Sequence, residues 1–186
     1  GDIKYKDLNH DGVIDSNDQA PIGYNPVPEM TFSLAAGLNW KGIDFSILLQ
    51  GAARSSIYLQ QDIAWDNFWG NYYEEHIGRW TPETAATATY PRFTKAATPA
   101  HPNYYKSDYW LKDSKYLRLK NIQLGYTIPR KLLKKFGVRS LRVYANAYNL
   151  FTWDNVKKVD PESSNNSNGQ FYPQQKVINF GINLNF

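Results

Sequence analysis

The stretch Lys176-Val177-Ile178-Asn179-Phe180-Gly181-Ile182-Asn183-Leu184-Asn185-Phe186 decides how the rest of the chain is read. Successive side chains of an extended strand point to opposite faces. Ile178, Phe180, Ile182, Leu184 and Phe186 therefore share one side, and Val177, Asn179, Gly181, Asn183 and Asn185 share the other. Alternation of period two over this length specifies a strand, not a helix. The apolar side could face the core of a soluble sandwich, or the lipid around a membrane barrel whose lumen is wet. Two features favour the barrel. The length matches the roughly 9 to 11 residues that a tilted strand needs to cross a bilayer, and the last residue is aromatic.

Composition sets the outer bounds. With 186 residues, 42% hydrophobic and 20% charged, the chain has the make-up of a folded protein. The aromatic share of 16% suits sheet faces, girdles and stacking loops better than a helical bundle. No apolar run reaches the roughly 18 residues of a membrane helix, a test to which barrel strands are blind. The mean hydropathy of −0.59 therefore does not exclude a membrane. There is no cysteine, which removes disulfide and thiol chemistry. The net charge of +4 comes from short clusters, not from a stripe of interleaved basic and aromatic residues, so no nucleic-acid partner is expected. The chain opens at Gly1 with neither an initiator Met nor a signal peptide, as a mature product or a piece of a longer protein would.

Residues 7–18 form the sharpest local motif. Counting Asp7 as position 1, oxygen side chains stand at 1 (Asp7), 3 (Asn9), 5 (Asp11), 9 (Asp15) and 12 (Asp18), Gly12 supplies the tight turn, and Val13 can offer its carbonyl. This is the spacing of an EF-hand-like calcium loop, with Asp in place of the usual bidentate Glu at the end. A hard cation needs several oxygens at about 2.3 to 2.6 Å, and Asp7, Asn9, Asp11, Val13 and Asp18 are the candidate ligands, with Asp15 acting through water. The bland reading is a surface loop held by Asx turns. No helices flank the loop, so calcium here would be a structural clip and not a sensor.

Past Pro21, Pro26 and Pro28, alternation begins at Met30 and runs to Trp40, turns at Lys41-Gly42 and returns through Ile43, Phe45, Ile47 and Leu49. From Ala52 to Tyr109 it disappears. Aromatics interrupted by prolines fill this segment, with short helices conceivable over residues 57–69 and 74–80. Such aromatics can stack on sugars, pack under a protein partner or form the loop's own core. Trp65, Trp69, Tyr72, Tyr73 and Trp80 are the candidates for substrate or partner contact. Alternation resumes at Ile122, while Leu117 and Leu119 lie in the opposite phase, so one strand over residues 116–128 needs a bulge near Lys120. Residues 129–137 read as a short basic helical turn closed by Gly137. Another strand starts at Leu141, and a polar loop over residues 154–169 leads to the last one.

Connections thus alternate between short and long, the asymmetry of outer-membrane barrels with short periplasmic turns and long extracellular loops. About five strands cannot close such a barrel, so others must complete it. Phe186 then sits at the periplasmic rim. Asn121, Gln123, Arg142, Asn146, Asn179 and Asn183 would line the lumen, and Lys112, Lys115 and Arg118 at the outer rim could meet lipopolysaccharide phosphates.

Several runs together resemble one family. Residues 1–15, Arg79-Trp80-Thr81-Pro82-Glu83, residues 116–126, Leu141-Arg142-Val143-Tyr144, Asn149-Leu150-Phe151-Thr152 and Asp160-Pro161-Glu162 are similar to segments of SusC/RagA-type TonB-dependent outer-membrane transporters, and the likeness spans nearly the whole chain. The resemblance implies that residues 1–186 are the carboxy-terminal strands of a 22-stranded barrel. The plug, the earlier strands and the segment that contacts the TonB complex would lie upstream. It further implies a SusD-like surface lipoprotein as lid, TonB-driven import of oligosaccharides or peptides, and a role for Phe186 as barrel-assembly signal. His10 stands where the family often has Gly. The rival reading is a secreted soluble β-sandwich that binds carbohydrate and carries a dockerin-like calcium loop. No catalytic residues are expected, because Glu74-Glu75-His76 is not a zinc motif and the three histidines are scattered.

Overall fold

Strands form where the sequence alternates. The structure, a computed structural model, describes residues 1–95, 98–157, 159–163 and 172–186. In chain order the strands are β1 (Met30–Trp40), β2 (Ile43–Ala53), β3 (Ser56–Tyr58), β4 (Leu111–Asp113), β5 (Tyr116–Thr127), β6 (Ser140–Asp154) and β7 (Val177–Asn185). β1, β2, β5, β6 and β7 pair in that order as a five-stranded antiparallel sheet, and β3 pairs with β4. Lys41 and Gly42 close the first hairpin at φ +47° and +88°. Both residues are left-handed, as in a type I′ turn, whose twist matches that of the strands.

Two units can be described, each by itself. The sheet unit contains Val27–Ser55, Ser114–Glu162 and Tyr172–Phe186, and the loop unit contains Gly1–Pro26 and Ser56–Asp113. In the sheet unit the register puts apolar opposite apolar at every step. Leu34, Ala36, Leu38 and Trp40 face Leu49, Ile47, Phe45 and Ile43, which lie against Leu119, Ile122, Leu124 and Tyr126. Phe151, Ala147, Ala145 and Val143 of β6 continue this face, and Ile178, Phe180 and Ile182 of β7 end it. The expected bulge is present. Lys120 has no partner in either register, and on β6 the pairing skips Asn149 and Leu150, with Asn149 at φ +51°. The phase slip thereby returns Leu117 and Leu119 to the apolar side.

The short connections all lie at one end of the sheet, where Trp40, Ile43, Tyr126, Val143 and Ile182 come together in register. The basic turn is helical over Arg130–Leu133, tightens to a 3₁₀ turn over Lys134–Phe136 and stops at Gly137, φ +70°. The long connections leave from the opposite end.

In the loop unit, 3₁₀ turns over Gln61–Ile63 and Glu74–Gly78 stand where short helices were conceivable, and a third forms over Pro102–Tyr104. These segments carry no sustained apolar repeat that would support longer helices. Their core contains Ile57, Leu59, Trp65, Tyr90, Tyr104 and Trp110, all buried. Of the expected polar loop, residues 158 and 164–169 lie outside the described residues.

Candidate functional site

The face opposite the apolar one is a polar wall. Ser46, Gln123, Asn146 and Asn179 form one row across four strands, and the Asn179 amide donates to Asn146 Oδ1 at 3.0 Å. The next row towards the short-turn end is Asp44, Gly125, Tyr144 and Gly181. Here Arg142 reaches across β5 to Asp44 with two hydrogen bonds, Nε at 2.9 Å and Nη2 at 2.5 Å. Gly125 makes this possible, because a Cβ there would lie 2.5 Å from both Arg142 Nη2 and Asp44 Oδ1. The Arg142 guanidinium also stacks on the Tyr144 ring at 4.8 Å, and that ring covers Gly181. All six residues expected to line a lumen lie on this face, since Asn121 pairs with Tyr148 and Asn183 with Arg142.

At the long-loop end of the wall Arg118 is 2% exposed. Its Nη2 bonds Asp160 Oδ1 at 2.8 Å, its Nε bonds Thr152 Oγ1 at 2.9 Å, and its Nη1 lies 3.2 Å from Glu162 Oε2. Lys120 adds a second cation to Glu162 at 3.0 Å. Burial pushes the Asp160 carboxyl up, but the bonds from Arg118 and the Glu162 N–H outweigh it and hold Asp160 below the usual range. Arg118 is therefore committed to the protein and not open to lipopolysaccharide phosphate, and the Lys112 ammonium donates to the Tyr109 carbonyl at 2.7 Å. The sequence contained the clue in Asp160-Pro161-Glu162, but no local pattern couples that motif to a strand 42 residues away.

The aromatic segment has a carboxyl group at its centre. Asp66 is fully buried. Its Oδ2 accepts the Thr94 N–H at 3.0 Å, and its Oδ1 accepts the Tyr104 hydroxyl and lies 3.3 Å from that of Tyr90. His76 packs on Tyr90 with ring centroids 4.6 Å apart, its Nε2 3.1 Å from the Ala64 carbonyl. Burial raises the hydroxyl pKa of Tyr90 and Tyr104, and pushes those of Tyr58 and Tyr109 up to about 12. Of the five aromatics expected to touch a substrate or partner, Trp65 belongs to this core. It is 3% exposed, with its ring 4.7 Å from that of Tyr104. Trp69 is 84% exposed and Tyr72 56%. Tyr73 is exposed, with its hydroxyl on the Asp62 carbonyl, and Trp80 packs over Gly1. Asp66 was missed because nothing around it in sequence distinguishes a buried acid from a surface one.

The 7–18 loop closes on its own amides. Asp7 accepts the N–H groups of His10 at 2.5 Å and Gly12 at 2.8 Å. Asp11 accepts that of Val13 at 2.8 Å, and Asp18 reaches back to those of Leu8 at 2.7 Å and Asp15 at 2.9 Å. The Asp15 and Leu8 N–H groups lower the Asp18 pKa. Gly12 is left-handed at φ +85°, as the turn requires, and His10 is too at +64°. A residue that ligates nothing thus still bears a conformational cost where the family often has Gly. The donors fit calcium in kind and order. Among the described residues, however, no three acidic or histidine side chains converge at metal distance, and the Asn9 amide holds Asp11 Oδ2 at 2.8 Å.

No family model matches the chain. It is 30% identical over its whole length to TonB-dependent receptor P26 of Formosa agariphila, covering 20% of that protein. It is 27% identical to TonB-dependent receptor SusC of Bacteroides thetaiotaomicron, with 98% of the chain matched to 17% of the receptor. A structure of the RagAB peptide importer in the open-open state superposes with a TM-score of 0.68 at 22% identity, over 94% of this chain and 19% of that one. These relatives are receptors and importers by name, not enzymes. In sequence and in fold the chain belongs to the SusC/RagA-type TonB-dependent receptors, and it spans about one fifth of the length of the relatives it matches.

Proposed function

We propose that the chain forms wall strands and outer loops of an outer-membrane barrel that imports oligosaccharides or peptides, driven by TonB and lidded by a SusD-like lipoprotein. One observation carries this reading. The apolar face runs unbroken across five strands and is exposed, Leu34 at 61% and Phe180 at 82%, while the charges lie paired on the other face. Lipid suits the first face and a wet lumen the second. Trp69 and Tyr72 would then meet the lid or substrate from an extracellular loop, Lys115 beside Trp153 would meet lipopolysaccharide, and Phe186 would serve as assembly signal and girdle residue. If the chain expressed alone is monodisperse and folds cooperatively without detergent, this reading fails and the soluble sandwich replaces it.

Calcium belongs to the same proposal. Asp7, Asn9, Asp11, the Val13 carbonyl and Asp18 would hold it once Asn9 releases Asp11, and the ion would clip the loop without taking part in transport. Added calcium is expected to raise the melting temperature of the full-length receptor, and Asp7→Ala with Asp11→Ala to abolish that rise. An equal melting temperature in calcium and in EDTA would remove the clip.

A further inference from the structure

The basic turn at the short-connection end carries a surface that lumen, loops and lid do not use. Residues 129–139 contain Arg130, Lys131, Lys134, Lys135 and Arg139 and no acid. None of these five cations is in an ion pair among the described residues. Leu133 is buried and anchors the turn, whereas Leu132 and Phe136 are 65% and 76% exposed. The turn is fixed in place at both ends. Ile128 donates its N–H to the Leu141 carbonyl at 2.9 Å, and Arg139 donates to the Asn185 carbonyl of β7 at 2.8 Å, next to exposed Phe186. The neighbouring hairpin brings a sixth cation to the same end, Lys41, over the exposed Trp40 ring at 4.9 Å.

Two bulky apolar side chains flanked by unpaired cations form the pattern of a segment lying in a membrane interface. Water alone would favour neither exposed Leu132 nor exposed Phe136, and a soluble acidic protein would need only the charges. The geometry points to a docking surface for anionic phospholipid in the leaflet that faces the short turns. Leu132 and Phe136 enter the acyl boundary, and Arg130, Lys131, Lys134, Lys135 and Arg139 take the headgroup phosphates. The inference rests on the membrane reading above.

The test uses the full-length receptor, delipidated in detergent and titrated with phosphatidylglycerol or phosphatidylcholine, with bound lipid read by native mass spectrometry. Heat-modifiable gel migration reports barrel folding independently, so loss of that signal condemns the membrane reading, not the lipid site. In folded wild type, phosphatidylglycerol is expected to bind tighter than phosphatidylcholine. Lys131→Gln with Lys134→Gln and Lys135→Gln should weaken it on the order of 100-fold, whereas three Lys→Arg changes should leave it intact. Leu132→Ser with Phe136→Ser should also weaken it, by roughly tenfold or more. Equal binding of the two lipids by folded wild type overturns the inference. So does a preference that the Lys→Gln variant loses and the Leu132→Ser, Phe136→Ser variant keeps, because charge alone then suffices and an acidic soluble partner fits better.

Discussion

In the loop unit Trp65, Tyr90, Tyr104 and Trp110 point inward and gather around a buried acid, Asp66. In the sheet unit Trp40, Phe151 and Phe180 point outward, and the acids and cations pair on the opposite face, Asp44 with Arg142 and Asp160 with Arg118. The same residue types are used with opposite polarity. The loop unit is organised around an apolar core with a hydrogen-bonded acid at its centre, as a protein in water is. The sheet unit is organised for an environment that is apolar on one side and wet on the other. Aromatic content alone therefore says little about either unit. What a side chain faces decides its role.

The sharpest way to break this contrast is at Asp66. Asp66→Ala orphans the Thr94 N–H and leaves the Tyr104 hydroxyl with Thr94 Oγ1 at 2.9 Å as its one remaining partner, and is expected to cost the loop unit about 2–6 kcal/mol, from about 1–3 for each of the two hydrogen bonds lost. Limited proteolysis of the intact receptor should then cut within residues 60–105, while gel migration of the barrel stays unchanged. A protected loop would show that the carboxyl is dispensable. Next in size is a test of the two sheet faces. Phe180→Arg on the apolar face should destabilise the folded barrel in lipid by about 2–4 kcal/mol, and Asn179→Arg one residue earlier by much less. Equal costs in urea titrations from bilayers would mean that both faces see the same medium. Third, Gly125→Ala should cost about 1–3 kcal/mol by forcing Asp44 and Arg142 apart, a loss that Asp44→Asn with Arg142→Gln should reduce.

The smallest effect is one of pH. Tyr58 and Tyr109, like Tyr90 and Tyr104, hold their protons more tightly folded than free, because burial disfavours the phenolate. Their contribution is complete below the ordinary tyrosine value of 10.0 and is lost as pH rises through about 12. Protease sensitivity of the loop unit should therefore increase between these values before the barrel's gel migration changes. Simultaneous loss would mean that the two units unfold as one.

These differences also explain what could be read from sequence. In β1, β2, β5 and β7 the face of each residue follows from parity, and even the Lys120 bulge shows as a slip of phase between Leu119 and Ile122. The basic turn is legible because Pro129 and Gly137 bracket it. The loop core is not, since Asp66 meets Thr94 and Tyr104 across 28 and 38 residues with no period to link them. Trp65 and Trp69 look alike in sequence, yet one is buried and the other exposed. Arg118 reads as a rim cation until its partners arrive from Asp160 and Glu162. Local alternation encodes a face, whereas a pairing made over distance leaves no local trace.

Gly125 has a consequence of another kind. Backbone pairing alone tolerates a strand that slides by two residues, because every side chain keeps its face. Such a slide of β5 would bring Gln123 or Thr127 under the Asp44–Arg142 bridge, where a Cβ does not fit. The missing side chain thus works as a keyhole: β2 and β6, which share no hydrogen-bonded edge, can join hands only when the strand between them has arrived in its proper place.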